Sequence, residues 1–109
     1  MSGLRVYTVL NVTLPVLPGA YRLWVVASGK RQARALIADR GITFREETFA
    51  GPVGAGSFVA GMRSAGLLSS AAVYAYPVSH NPGTAVLRID SRRRGTPVAV
   101  MGDVMAGAR

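Results

Sequence analysis

The segment from Arg5 to Ala27, RVYTVLNVTLPVLPGAYRLWVVA, determines the fold class predicted for this 109-residue chain. Residues 5–13 are rich in β-branched and aromatic side chains that alternate between two faces, which is typical of a β-strand. Pro15 and Pro18 must end that strand, because proline has no N–H to donate to a sheet. Residues 21–27 form a nearly continuous apolar run, which indicates a central strand covered on both faces. We expect these two strands to form a hairpin.

A helix is predicted directly after the hairpin. Ser28 is a natural helix N-cap, and Gly41 is a natural C-terminal stop. Between them Ala33, Leu36 and Ile37 fall on one face at helical spacing. The spacing therefore predicts an amphipathic helix from Ser28 to Gly41.

The middle of the chain predicts a strand and then a loop. Residues 42–49 alternate, with Ile42 and Phe44 expected to point inward and Arg45 outward. Residues 50–56 are rich in glycine and proline, which favours a loop.

The second half of the chain predicts one helix and three strands. Ser57 is the candidate N-cap of this helix, which is expected to run to about Leu68, although glycines inside it weaken the prediction. Residues 72–78 predict a strand, and Pro77 places its end at a sheet edge. Residues 84–90 and 96–101 predict paired strands around a turn, and the second of them is another candidate edge.

The resulting order is ββαβαβββ, which predicts an α+β fold. We expect a single compact domain over residues 1–101, with a largely antiparallel sheet and two helices packed on one face. The strand–helix–strand unit over residues 21–49 leaves one parallel pair as an alternative. Residues 102–109 are expected to form a frayed tail.

Composition limits the classes of protein to which the chain can belong. It has no cysteine, which excludes disulfides, thiolate metal sites and a thiol nucleophile. It has 13 basic and 5 acidic residues, a formal net charge of +8, and all but one of the basic residues are arginine. Arginine binds phosphate groups bidentately, so this bias favours a nucleic-acid partner. A GC-rich genome is the alternative explanation, because it replaces lysine by arginine throughout.

Two long stretches carry few or no charges, but neither predicts a membrane span. Residues 4–22 and 64–87 are interrupted by prolines and polar side chains, whereas a spanning helix needs about 20 nearly unbroken apolar residues. We expect no membrane partner and a cytoplasmic location.

No motif of an enzyme is complete in this sequence. The loop Gly51–Gly56 precedes a predicted helix, yet Ser57 stands where a phosphate-binding loop needs lysine, and Val59 stands where a dinucleotide fingerprint needs glycine. His80 is the only histidine, and it lies in a predicted turn. The five carboxylates are scattered, without ligand spacing on one face. We therefore expect no catalytic residues, no metal and no cofactor.

Arginines supply the most specific candidate site. Arg92, Arg93 and Arg94 lie at the predicted tip of the last hairpin, where they can contact phosphates, and Lys30, Arg31 and Arg34 form a second basic patch on the first predicted helix. Tyr74 and Tyr76 share a strand face, where packing is favoured over base stacking. The sequence predicts a non-enzymatic basic module that binds nucleic acid.

A protein-interaction module is the alternative function, for instance a phage or mobile-element accessory protein that binds a host protein. The apolar composition also predicts a homo-oligomer, most simply a two-fold dimer. Salt dependence separates the two functions, since phosphate contacts weaken steeply with ionic strength.

Overall fold

The computed structural model has its elements in the predicted order, ββαβαβββ. It describes residues 3–14, 18–54, 56–78, 85–89 and 98–101. Within these ranges the strands are β1 (Arg5–Thr13), β2 (Ala20–Ala27), β3 (Phe49–Ala50), β4 (Ala72–Pro77), β5 (Val86–Arg88) and β6 (Val98–Met101). The helices are α1 (Lys30–Asp39) and α2 (Ser57–Ser64). The predicted tail, residues 102–109, lies outside the described ranges.

The predicted hairpin is confirmed. β1 and β2 pair antiparallel, from Arg5 opposite Ala27 to Val9 opposite Leu23. The register shifts after Val9, and Asn11 in this bulge has a φ of 55°. Asparagine tolerates this left-handed backbone better than most residues, so the sequence suits the bulge.

The strands form one antiparallel sheet in the spatial order β3-β1-β2-β4-β5-β6. The prediction that β4 forms a sheet edge is wrong, because β4 pairs with β2 on one side and with β5 on the other. Pro77 is the last residue of β4, and β5 pairs only with Tyr74 and Ala75. The missing proline N–H therefore removes no hydrogen bond to β5. β6 does lie at the edge of the described sheet, as predicted.

The two helices pack on opposite faces of the sheet, so the prediction that they share one face is wrong. Ile37 of α1 lies in a core cluster with Leu23 and Val25, whereas Met62 of α2 lies in another with Val26. Successive residues of a strand point to opposite faces, and every residue of β2 from 23 to 27 is buried. The apolar run of β2 thus needs a cover on both sides, and each helix supplies one.

The strand predicted over residues 42–49 is also wrong. A 3₁₀ turn occupies Glu46–Thr48, and β3 is only the two residues that follow it. The N–H and the hydroxyl of Thr48 both donate to the carbonyl of Arg45, at 2.9 and 2.7 Å. These local bonds compete with a sheet ladder. Ile42 is nevertheless buried in the α1 cluster, so the prediction that it points inward is confirmed.

Both helices end in the same way, at a glycine. Gly41 after α1 and Gly66 after α2 have φ values of 73° and 76°. In each case the residue after the glycine donates its N–H to the carbonyl five residues earlier, Ile42 to Ile37 and Leu67 to Met62. The C-terminal stop at Gly41 is confirmed, whereas α2 ends before the predicted Leu68.

The predicted N-cap of α1 is wrong, since Gly29 occupies that position and has extended backbone angles. Ser28 lies one residue earlier, and its N–H donates to the side chain of Gln32 at 2.6 Å. No side chain caps the start of α1.

Candidate functional site

All three carboxylates in the described part of the chain lie next to an arginine. Glu46 pairs with Arg34 at 3.0 Å and Glu47 with Arg45 at 2.9 Å, and a third contact of 3.7 Å joins Asp39 to Arg40. Among the described residues no further carboxylate is left to balance the other cations.

Arg34, one of the predicted nucleic-acid contacts, is engaged within the protein. Its Nε and Nη2 donate to both oxygens of Glu46 at 3.0–3.2 Å, and its guanidinium lies 4.6 Å from the centre of the Phe49 ring. The hydrogen bond from Arg34 lowers the pKa of Glu46, and the same bond raises the pKa of Arg34. Arg34 thus ties α1 to the turn before β3, and its phosphate contact stays a prediction.

Lys30 and Arg31 differ from Arg34, because no acidic partner lies beside either of them among the described residues. Both are exposed in the first turn of α1, and this turn contains no acidic residue. The start of a helix carries partial positive charge, so two cations there are unfavourable for the helix itself. None of the described contacts shows that Lys30 and Arg31 stabilise α1.

The sheet topology brings a further cation to the same place. Arg5 at the start of β1 lies opposite Ala27 at the end of β2, three residues before Lys30. We call this the basic end of the sheet, defined by Arg5, Lys30 and Arg31. β4 begins at this end, because Ala72 pairs with Val26.

Arg92, Arg93 and Arg94 lie outside the described residues. The strands on either side of them are described, and Arg88 pairs with Val98. Since β5 runs antiparallel to β4, it ends toward the basic end of the sheet, and β6 begins there.

The predicted packing of the strand aromatics is confirmed. Trp24, Tyr74 and Tyr76 are only 4–6% exposed and belong to the core cluster beneath α2. Phe58 of α2 stacks on Trp24 with ring centres 4.4 Å apart, and it meets Tyr76 edge-on at 5.5 Å. These rings are covered by a helix and do not form an open platform for bases.

The glycine-rich loop has a structural role at its first residue. Gly51 has a φ of 133°, and a Cβ at this position would lie 2.8 Å from Cδ2 of Tyr7. Gly56, which precedes α2, also has a positive φ of 126°. Gly51 and Gly56 thus adopt a positive φ, which glycine permits, in the segment predicted to be a loop.

Arg22 was not predicted as a functional residue, and it lies over Trp24, on the sheet face that α2 covers. Its Nε donates to Thr8 Oγ1 at 2.9 Å, and its guanidinium lies 4.4 Å from the centre of the Trp24 ring. The available signal was a single arginine inside an otherwise apolar strand, since such a charge needs specific partners.

The described ranges contain no candidate metal site. No cluster of three potential metal ligands occurs there, and His80 falls outside them. An open depression of about 350 Å³ lies beside the end of α1, lined by Ala38 and residues 41–44. Within the same ranges no helix is long and apolar enough to cross a membrane.

Comparison of the chain with models of known protein families, with curated proteins and with solved structures finds no match. A function for this chain must therefore be argued from its own residues.

Proposed function

We propose that this protein is a non-enzymatic basic module that contacts nucleic acid through its phosphate groups, using the basic end of the sheet. The observation that carries this proposal is the pairing of the described carboxylates. Each lies beside an arginine elsewhere, which leaves the charges of Lys30, Arg31 and Arg5 without an acidic neighbour among the described residues. Such a surface attracts a polyanion.

The burial of the aromatic rings supports backbone contacts over base contacts. Both faces of the sheet are covered by helices, and the strand aromatics pack against α2. Phosphate contacts position a protein on nucleic acid but carry no sequence information. The proposed module therefore binds duplexes of different sequence with similar affinity.

The predicted contacts Arg92, Arg93 and Arg94 remain part of the proposal. β5 ends toward the basic end of the sheet and β6 begins there, and this position of the flanking strands supports keeping the three arginines in the proposal. Arg34 contributes less in this proposal, because its guanidinium already binds Glu46.

Single charge removals at matched positions test the proposal. Arg31→Ala and Arg45→Ala each remove one exposed arginine, but Arg45 is paired with Glu47 and is not one of the residues that define the basic end. Binding to a random-sequence duplex is followed by fluorescence anisotropy at several salt concentrations. We expect Arg31→Ala to weaken binding and to reduce the slope of log affinity against log salt by about 0.9, the value for one phosphate contact. Arg45→Ala should leave the slope unchanged, and equal effects of the two variants would overturn the assignment to the basic end.

A protein-interaction module is the second candidate, favoured by the position of β6. This strand is the edge of the described sheet, and its sequence from Val98 to Met101 carries no charge. An unpaired strand edge can add a strand from another chain, including a second copy of this one.

A further inference from the structure

The side chains beneath the start of α2 include a buried hydrogen-bond donor without a partner. Trp24 is 6% exposed, and its indole Nε1 has no acceptor among the described residues. Buried polar groups in proteins are almost always hydrogen-bonded, so an orphan donor calls for an explanation. Leaving such a group unpaired also destabilises the fold.

A cation lies over the same indole ring. The Arg22 guanidinium is 4.4 Å from the ring centre and is held there by the bond from its Nε to Thr8 Oγ1. Because that bond uses the Nε, the two Nη groups keep their donors, and no described residue accepts from them. Arg22 is half-buried, whereas Thr8 and Trp24 are buried.

We infer that Arg22 and Trp24 form a binding site for an oxyanion, a phosphate or a carboxylate group. The site offers the Nη donors of Arg22 and the Nε1 donor of Trp24, and it carries a positive charge. A ligand that accepts hydrogen bonds without donating any fits this set, and the edge of a guanidinium matches two oxygens of one oxyanion. The described carboxylates, Asp39, Glu46 and Glu47, are each beside another arginine and do not occupy it.

Arg22 and Trp24 differ in burial, and this difference sets the order in which an oxyanion contacts them. An oxyanion arriving from solvent meets the half-buried Arg22 first. The Arg22 side chain then exchanges its bond to Thr8 for bonds to the oxyanion and moves across the indole, so that the buried N–H gains the acceptor that it lacks. Phe58, stacked 4.4 Å from Trp24, keeps the ring in place while this happens. This site is distinct from the basic end of the sheet, and it does not depend on the proposed binding of nucleic acid.

Trp24 is the only tryptophan of the chain, so its fluorescence and its indole N–H resonance report directly on this site. The full-length protein is titrated with sodium phosphate and, separately, with sodium acetate, and sodium chloride at matched ionic strength serves as the control. We expect a saturable change in fluorescence with phosphate or acetate, and the two titrations identify which oxyanion binds. The indole N–H resonance should move with the same midpoint. A chloride titration with the same curve would overturn the proposal, as would an unmoved indole resonance.

A matched pair of variants assigns the effect to Arg22. Arg22→Gln removes the charge and the guanidinium edge, whereas Arg63→Gln removes one exposed arginine of α2. We expect Arg22→Gln to weaken oxyanion binding at least tenfold and Arg63→Gln to leave it unchanged. Equal affinity in Arg22→Gln and the parent would refute the site. If Arg22→Gln does not fold, the indole resonance of the parent protein tests the site. If the role of Arg22 were only structural, that resonance would show no saturable shift with phosphate or acetate.

Discussion

Gly51→Ala should destabilise the protein strongly, because two independent effects act at this position. The φ of 133° lies in a region that L-residues rarely adopt, and such a backbone costs about 1–3 kcal/mol. The new Cβ would also lie 2.8 Å from Cδ2 and 3.1 Å from Cα of Tyr7. Tyr7 is 2% exposed and stacks on Phe49 at 5.7 Å, so it has little room to move.

The expected loss follows from these two terms and one opposing term. Overpacking a buried site costs about 1–3 kcal/mol, and the loss of glycine's freedom in the unfolded chain returns about 0.4–1 kcal/mol. We therefore expect a net loss of roughly 1–6 kcal/mol in the free energy of unfolding, measured by urea denaturation, with a correspondingly lower Tm.

Gly54→Ala is the matched control in the same loop. A Cβ at Gly54 would meet nothing within 4 Å, and its φ lies outside the left-handed region. This substitution should be neutral or stabilise the protein by up to about 1 kcal/mol. If Gly51→Ala proved as stable as Gly54→Ala, the close approach of this loop to β1 would be refuted.

Three further perturbations have defined outcomes. Arg34 lowers the folded-state pKa of Glu46, so the ion pair stabilises the fold at neutral pH, and this stabilisation is lost as pH falls through the lowered pKa. Glu46→Gln should therefore flatten the fall in the free energy of unfolding between about pH 5 and about pH 3, measured by urea titrations. Leu23→Ala should cost about 2–5 kcal/mol because Leu23 is fully buried, whereas Leu10→Ala, at a side chain 44% exposed, should cost under about 1 kcal/mol by thermal denaturation. The β6 edge should support a dimer, so light scattering should show a mass that rises with protein concentration, and a constant monomer mass at low salt would contradict it.

The order of elements was predictable because the strong signals are local. The hairpin is encoded by alternation in β1 and by the prolines between the strands, and the end of α1 is encoded by Gly41. Gly66 ends α2 in the same way, although the helix was predicted to run to about Leu68. The apolar run of β2 also predicted a strand covered on both faces. A strand covered on both faces needs one helix on each face, which conflicts with the prediction that both helices pack on the same face. The burial of residues 23–27 shows that the first of these predictions is right.

Interactions between distant residues were not predictable from the sequence. The alternation of residues 42–49 predicted a strand, but Thr48 bonds locally to Arg45 and the chain turns instead. That turn brings Glu46 to Arg34, 12 residues away, so the sequence could not show that Arg34 is already paired. The bond from Arg22 to Thr8, 14 residues away, depends in the same way on the register between β1 and β2, which residue spacing does not show.

The salt dependence of duplex binding by the parent protein tests the central claim most directly. Affinity for a random-sequence duplex is measured from about 50 mM to about 200 mM salt, beside a second duplex of unrelated sequence. If Lys30 and Arg31 each contact a phosphate, log affinity should fall with log salt with a slope of about −1.8 or steeper. The slope should be equal for both duplexes. The absence of binding at the lowest salt, or a slope near zero, would contradict the account and favour a protein partner instead.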